Sequence, residues 1–235
     1  MLYIVPTPLG NLEDITSRAA RILREVRAIL CEDTRRTHAL LSHFGIHTPI
    51  LHYDDRNART LHQSLDRLKA GEDLALVSDS GTPVISDPGL NIVSLARRQG
   101  IAVTSLPGPC AVSAAVAGSG LPGDSFIFLG FLPRSPARRR RALKDAASLG
   151  KTIVVYESPE RIIDLLDVAT EILGADRQAA IAREISKKYE EWLSGTLRDV
   201  RRQLGEKPSM RGEFVVVLHP KSAPHLHAKE PLHAR

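Results

Sequence analysis

The strongest constraint on this chain is an alternation that repeats along nearly its whole length. Short runs rich in Ile, Val, Leu and Ala, each about the length of a buried strand, are separated by segments with helical spacing. Leu2–Val5, Ala28–Cys31, Leu74–Val77 and Ala102–Leu106 are four such runs, and Ile15, Ala19, Ile22, Leu23 and Val26 recur at helical intervals between the first two. Each run ends in a loop rich in glycine, proline or charged residues. This strand–loop–helix rhythm predicts an α/β domain with a mostly parallel sheet, in which ligands collect at the carboxyl ends of the strands.

The rhythm resumes after Gly118–Asp124 (GSGLPGD), whose glycines and proline break any regular element. Phe126–Gly130, Thr152–Tyr156, Gln178–Ala182 and Phe214–Leu218 read as further strands. A periodic helix is expected over Pro159–Leu173, with Ser158 as cap and proline in its first turn. The expected organisation is an N-terminal α/β domain (1–120), a C-terminal α/β domain (121–219) and a disordered tail (220–235). The segment from His219 to the end holds four of the nine histidines, without metal-site spacing.

Composition removes several classes of function. With 43% hydrophobic and 25% charged residues in a 235-residue chain, wholesale disorder is excluded. Aromatic residues make up only 4%, which argues against a bulk single-strand-binding protein built on stacking. Cys31 and Cys110 offer neither a disulfide framework nor a zinc site, so a reducing, cytoplasmic setting is expected. The start carries no basic segment and reaches Pro6 too early for a signal peptide, and no apolar run is long enough to span a membrane.

Charge is unevenly placed. Residues 1–120 hold 12 basic and 12 acidic residues, whereas residues 121–235 hold 20 and 15, so the whole net charge of +5 lies in the second half. Arg134, Arg138, Arg139, Arg140, Arg141 and Lys144 form a run with no acid among them. The run reads either as a solvated helix start or as a patch for a polyanion.

The loops carry the chemical signal. Pro6-Thr7-Pro8-Leu9-Gly10-Asn11 is not a dinucleotide fingerprint, and the chain has no nucleotide-triphosphate loop. Ser78–Gly89 (SDSGTPVISDPG) is too long and too rich in glycine and proline for a simple connector, and its backbone groups and small side chains suit a ligand. Leu106-Pro107-Gly108-Pro109-Cys110-Ala111 opens a helix of small residues; nothing nearby activates Cys110 as a nucleophile. Three polar clusters, Cys31–Arg36, Tyr156–Arg161 and Ala182–Lys187, each follow a strand.

Taken in order and spacing, VPTPLGNLEDIT, CEDTRRT, LVSDSGTPVISDPG, LPGPCA, GFLPR, YESPER, AREISKKYEE and GEFVVV resemble the bacterial small-subunit ribosomal RNA cytidine-2′-O-methyltransferases. These belong to the tetrapyrrole-methylase-like group of S-adenosylmethionine enzymes. The resemblance covers about residues 1–219. It implies two α/β domains of the tetrapyrrole-methylase type with the cofactor cleft between them, and a homodimer acting on 16S ribosomal RNA or the 30S subunit without a metal.

Carried over residue by residue, the resemblance implies a donor pocket of Leu9, Ser80, Gly81, Thr82, Ile85, Cys110 and Ala111, joined by Glu157, Glu213 and Phe214. Glu157 stands where the wider group has an apolar residue. Ser80 and Ser186 replace the commoner Ala and Thr without losing a donor or acceptor.

Among the acids Glu32, Asp33, Asp87, Glu157 and Glu184, Glu184 and Glu32 are the leading acceptors for the ribose proton. Arg35, Arg138, Arg139, Arg140, Arg141, Arg183 and Lys187 are the expected phosphate contacts. A tetrapyrrole methyltransferase of the same fold and a non-catalytic ribosomal RNA-binding protein are the alternatives.

Overall fold

The computed structural model describes residues 1–207 and 210–219; the tail expected over 220–235 lies outside the described residues. The chain forms two compact units. Met1–Ala114 and Ile185–Lys188 belong to the first, and Ala115–Glu184 with the chain from Tyr189 onward to the second.

The first unit carries β1 (Leu2–Ile4), α1 (Ser17–Glu25), β2 (Ala28–Cys31), α2 (Thr34–His43), β3 (Ile50–His52), α3 (Ala58–Lys69), β4 (Leu74–Leu76), α4 (Leu90–Arg98) and β5 (Val103–Ser105). Its five strands run in the order β3-β2-β4-β1-β5 and all pair in parallel. Both faces are covered, which is why the inner strands β2 (AILC) and β4 (LAL) are apolar throughout instead of alternating.

On one face, Leu23 and Ile22 of α1 and Leu41 of α2 pack on Val5, Ile29, Cys31 and Ala75. On the other, Leu61, Leu65 and Leu68 of α3 and Ile92 and Ala96 of α4 pack on Leu2, Ile4, Leu30, Leu74 and Leu76. The connections that leave β1 and β4, which are neighbours, therefore turn to opposite faces. The carboxyl ends of β1 and β4 form the topological switch point of the sheet, where doubly wound folds bind ligands.

The second unit carries β6 (Phe126–Phe131), α6 (Pro136–Ser148), β7 (Thr152–Glu157), α7 (Ile162–Leu173), β8 (Gln178–Arg183), β9 (Glu191–Thr196), α8 (Leu197–Gly205) and β10 (Phe214–Leu218); α5 (Ala111–Gly118) leads into it. Its strand order is β6-β7-β10-β8-β9, and only β6 and β7 pair in parallel. The second sheet is thus mixed, since β8 turns back directly into β9 and β10 inserts antiparallel between β7 and β8. Leu143, Ile153, Val155, Leu165, Leu166, Ile181, Leu197, Val200 and Val216 form its core.

Two expectations are corrected here. Ser158 does not cap α7: residues 158–161 form a turn, Arg161 N–H donates to the Ser158 carbonyl, and the helix starts at Ile162 with Arg161 as its N-cap. The arginine run does not form one solvated patch, because consecutive residues on a helix point about 100° apart. Arg139 is buried, while Arg138, Arg140 and Arg141 stay exposed, Arg140 holding both oxygens of Glu171 at 2.9–3.0 Å and Arg141 standing 3.7 Å from Asp145.

Candidate active site

The loops after β1 and β4 meet at the switch point as a two-residue antiparallel bridge. Thr7 N–H donates to the Gly81 carbonyl at 2.9 Å, and Gly81 N–H donates to Thr7 at 3.0 Å. Thr7, 1% exposed, adds a hydroxyl bond to the Ser78 carbonyl at 3.0 Å, and Ser78 Oγ donates to Gly81 at 2.9 Å. Ser80 Oγ donates to the Leu9 carbonyl, a second tie between the loops.

The third loop joins through Thr82, whose Oγ1 donates to the Pro109 carbonyl at 2.8 Å. Leu9, Ser80, Gly81 and Thr82 are therefore held together, with Cys110 and Ala111 following directly on Pro109. Buried polar groups that are mutually satisfied in this way make a rigid platform, since each would otherwise cost free energy to bury.

Gly81 sits at φ +80°, and a Cβ there would stand 3.0 Å from Leu9 Cδ2 and 3.7 Å from the Pro109 carbonyl. Its missing side chain leaves a notch between those two groups. Gly89 closes the loop at φ +129°, where a Cβ would meet Leu76 Cδ2 at 2.5 Å. Between them Val84 and Ser86 also have positive φ, a conformation that costs a β-branched residue energy and that persists at functional loops. Ile85 is held exposed between these two residues.

Beside the platform lies a cavity of about 300 Å³ lined by Thr7, Pro8, Leu12, Leu40, Arg36 and Asp79 among others. Asp33 caps α2: its Oδ1 accepts from the amides of Arg35 at 2.8 Å and Arg36 at 3.3 Å, which holds its carboxyl below the usual range. The guanidinium of Arg36 stands 3.6 Å from Asp79. Glu32 is exposed at the end of β2 and faces a small space shared with Tyr53, Asp79 and Asp87. Burial and the short 2.5 Å bond to Asp55 raise the Tyr53 hydroxyl pKa far above its usual value, so it stays protonated and donates to Asp55.

The remaining expected residues lie differently. Glu157 is 1% exposed and both its oxygens are engaged, Oε2 by Arg161 at 3.1 Å and Oε1 by the Ser158 amide at 2.9 Å. Its carboxylate is an internal anchor and not a pocket wall. Phe214 is buried in the core of the second unit.

Glu184, at φ +53°, accepts the Glu213 amide on Oε1 at 2.9 Å and covers Gly212. Arg183 donates to the Arg211 carbonyl and pairs with Glu191 at 3.2 Å. Lys187 belongs to the first unit and packs across Gly10, where a Cβ would collide with its Cγ. Beside it Ser186 donates to Asp14. Arg35 extends into solvent.

Thr7, Ser78 and Pro109, which hold the platform, were not singled out by sequence; the only signal was that each lies inside a proline- or glycine-rich loop. Among the described residues no cluster of His, Cys, Asp or Glu is placed to hold a metal, and no helix is long and apolar enough to cross a membrane.

A rigid backbone platform at the switch point, notched by a glycine and walled by small side chains, is a site for binding and aligning a reactant. The chain belongs to the tetrapyrrole (corrin/porphyrin) methylase family, which matches residues 1–201, and it is an enzyme of the methyltransferase class.

Among its relatives, it is 48% identical to ribosomal RNA small subunit methyltransferase I of Thermotoga maritima, over 94% of this chain and 98% of that one. Solved structures share the fold at lower identity. The methyltransferase CobJ superposes with a TM-score of 0.69 at 19% identity, covering 93% of each chain. Uroporphyrin-III C-methyltransferase of Thermus thermophilus, complexed with S-adenyl homocysteine, gives 0.66 at 17% identity over 92% of this chain and 96% of that one.

Proposed function

We propose that the chain transfers a methyl group from S-adenosylmethionine to the ribose 2′-hydroxyl of a cytidine in 16S ribosomal RNA. The reading places the enzyme in the cytoplasm, as a homodimer that meets the RNA alone or within the 30S subunit. The observation that carries it is the joined three-loop platform, in a chain 48% identical to a ribosomal RNA small subunit methyltransferase I.

The residues fit the donor. The notch beside Gly81, between Leu9 and the Pro109 carbonyl, is a cradle that a Cβ would fill. Ser80, Thr82, Ile85, Cys110 and Ala111 complete a wall of small or neutral side chains and carbonyl dipoles, which suits a cation that also carries an adenosyl group. When bound, the donor supplies a methyl group on a sulfonium.

What the chain contributes is alignment and proton removal. Rigid loops hold a reactant in a near-attack geometry without reorganising at each turnover, a contribution worth several kcal/mol. The 2′-hydroxyl loses its proton as its oxygen bonds to the methyl carbon and the carbon–sulfur bond breaks. Glu32 takes that proton in this reading, because its carboxylate has no partner among the described residues, whereas Glu184 Oε1 is committed to the Glu213 amide. Arg35, Arg138 and Lys187 are the phosphate contacts retained from the sequence. Glu157, Glu213 and Phe214 act inside the second unit.

Methyl transfer from tritiated donor to 30S subunits and to free 16S RNA, both from a strain lacking this methylation, tests the reading, with uroporphyrinogen as the competing acceptor. Label in RNA supports it; label in the porphyrinogen alone refutes it.

A further inference from the structure

The cavity beside the platform carries chemistry that donor binding does not use. Its volume of about 300 Å³ lies at the small end of ligand pockets, which suits one small ring system. Much of its wall is apolar. Leu40 follows Arg36 by one turn of α2, so the two share a helix face, and Pro8 and Leu12 come from the loop after β1. Leu12 leaves 37% of its surface uncovered, apolar area that a flat ring would cover.

The polar side chains that line the cavity divide into two groups. Three are already spent: Thr7 donates to the Ser78 carbonyl, Ser78 to the Gly81 carbonyl, and Thr37 to the Cys31 thiol. Asp79 and Arg36 are not. Arg36 Nη1 stands 3.6 Å from Asp79 Oδ2, too far for a hydrogen bond, and among the described residues neither side chain makes one elsewhere. A carboxylate that only accepts and a guanidinium that only donates are thus held side by side at an apolar slot. Asp79 also lines the small space that contains Glu32, so the cavity and that acid are neighbours across one side chain.

We propose that this cavity takes the base of the target nucleotide and that Asp79, paired with Arg36, selects cytosine by accepting a hydrogen bond from its exocyclic amine. The inference rests on the function proposed above and names the residue that sets its base specificity. Cytosine presents one amine donor beside two acceptors, a ring nitrogen and a carbonyl. Asp79 matches the donor and Arg36 the acceptors, and carboxylates accept from the cytosine amine in nucleic-acid recognition generally. Uracil reverses the first two positions. Its O4 would face the carboxylate and its ring N–H the guanidinium, leaving both protein groups unpaired, which is what makes rejection strong.

Two measurements on the full-length protein test this, each on wild type and Asp79→Asn. Asp79 is partly exposed, and the amide keeps its size. In the first, cytidine and uridine 5′-monophosphate are titrated by saturation-transfer NMR; the two share a phosphate and sugar, so any difference belongs to the base. Wild type should prefer cytidine monophosphate by about 10- to 100-fold. Asp79→Asn should bind uridine monophosphate more tightly than wild type does, because its amide nitrogen can donate to O4. A damaged fold would weaken both ligands and could not produce that gain.

In the second, methyl transfer is measured on 30S subunits carrying either the cytidine that wild type labels or uridine in its place. Wild type should reject the uridine substrate, and Asp79→Asn should methylate it faster than wild type does. Equal affinity of wild type for the two mononucleotides, or an undiminished cytidine preference in Asp79→Asn, overturns the assignment. If wild type labels RNA while Asp79→Asn keeps the cytidine-to-uridine ratio of wild type, the base site fails and the methyltransferase reading stands. If the mononucleotide preference appears and is lost in Asp79→Asn, but no RNA is labelled, the base site stands and that reading fails.

Discussion

Replacing Gly81 by alanine isolates what the central loop does. At φ +80° an L-residue costs about 1–2 kcal/mol more than glycine. The new Cβ would also stand 3.0 Å from Leu9 Cδ2, the movable end of a half-buried side chain, which adds a few tenths of a kcal/mol at most.

Gly100 is the matched control: its φ is +71°, nothing lies within 4 Å of a Cβ there, and it sits between α4 and β5, away from the platform. Both variants should lose about 1–2 kcal/mol in urea unfolding. Only Gly81→Ala should lose donor affinity. A methyl group in the notch that displaces the ligand by even 1.4 kcal/mol gives a tenfold weaker Kd by calorimetry. Wild-type donor affinity in Gly81→Ala, at normal stability in Gly100→Ala, would refute both the notch and the backbone argument behind it.

Other consequences are as concrete. Glu157→Leu removes the buried partner of Arg161 and should destabilise the protein by about 3–5 kcal/mol in chemical unfolding, without a selective loss of donor binding. Glu32→Gln should lower single-turnover methyl transfer about 100-fold or more with RNA and donor affinities intact, while Glu184→Gln should act mainly on thermal stability.

Hydrogen bonds from Lys207 and Arg183 hold the Glu191 carboxyl below its usual range. A depressed folded pKa contributes stability above the unfolded value of about 4.3, and that stability is lost as pH falls through the folded pKa. Acid unfolding should accordingly steepen below about pH 4 in wild type, and Glu191→Gln should remove that part of the dependence.

Much of the fold is legible in the sequence because a parallel sheet buried on both faces requires continuous apolar strands. Ala28–Cys31 and Phe214–Leu218 appear with the expected bounds. β3 escapes because it has only three residues, two partly buried and one exposed, at a sheet edge after Pro49, too short to show a pattern. β9 (EWLSGT) is an edge strand with one buried residue, Leu193, and its glycine at φ +142° weakens any strand signal.

The antiparallel insertion of β10 is a matter of topology, which local composition does not encode. At the site, the sequence shows which loops carry chemistry but not which atoms they spend on one another. Glu157 and Arg139 are polar residues in promising segments, and their burial, a long-range property, changes what each can do. The Thr7–Gly81 bridge joins positions 74 residues apart and has no sequence signature beyond its glycine and prolines.

The central claim is ribose methylation, and alkaline hydrolysis tests it directly. A 2′-O-methyl group removes the nucleophile that cleaves the adjacent phosphodiester, whereas a base methyl leaves it in place. After methylation with labelled donor and complete alkaline digestion of the 16S RNA, the label should be recovered in alkali-resistant dinucleotides beginning with cytidine. Label recovered in mononucleotides, or in dinucleotides that begin with another nucleoside, would contradict the account.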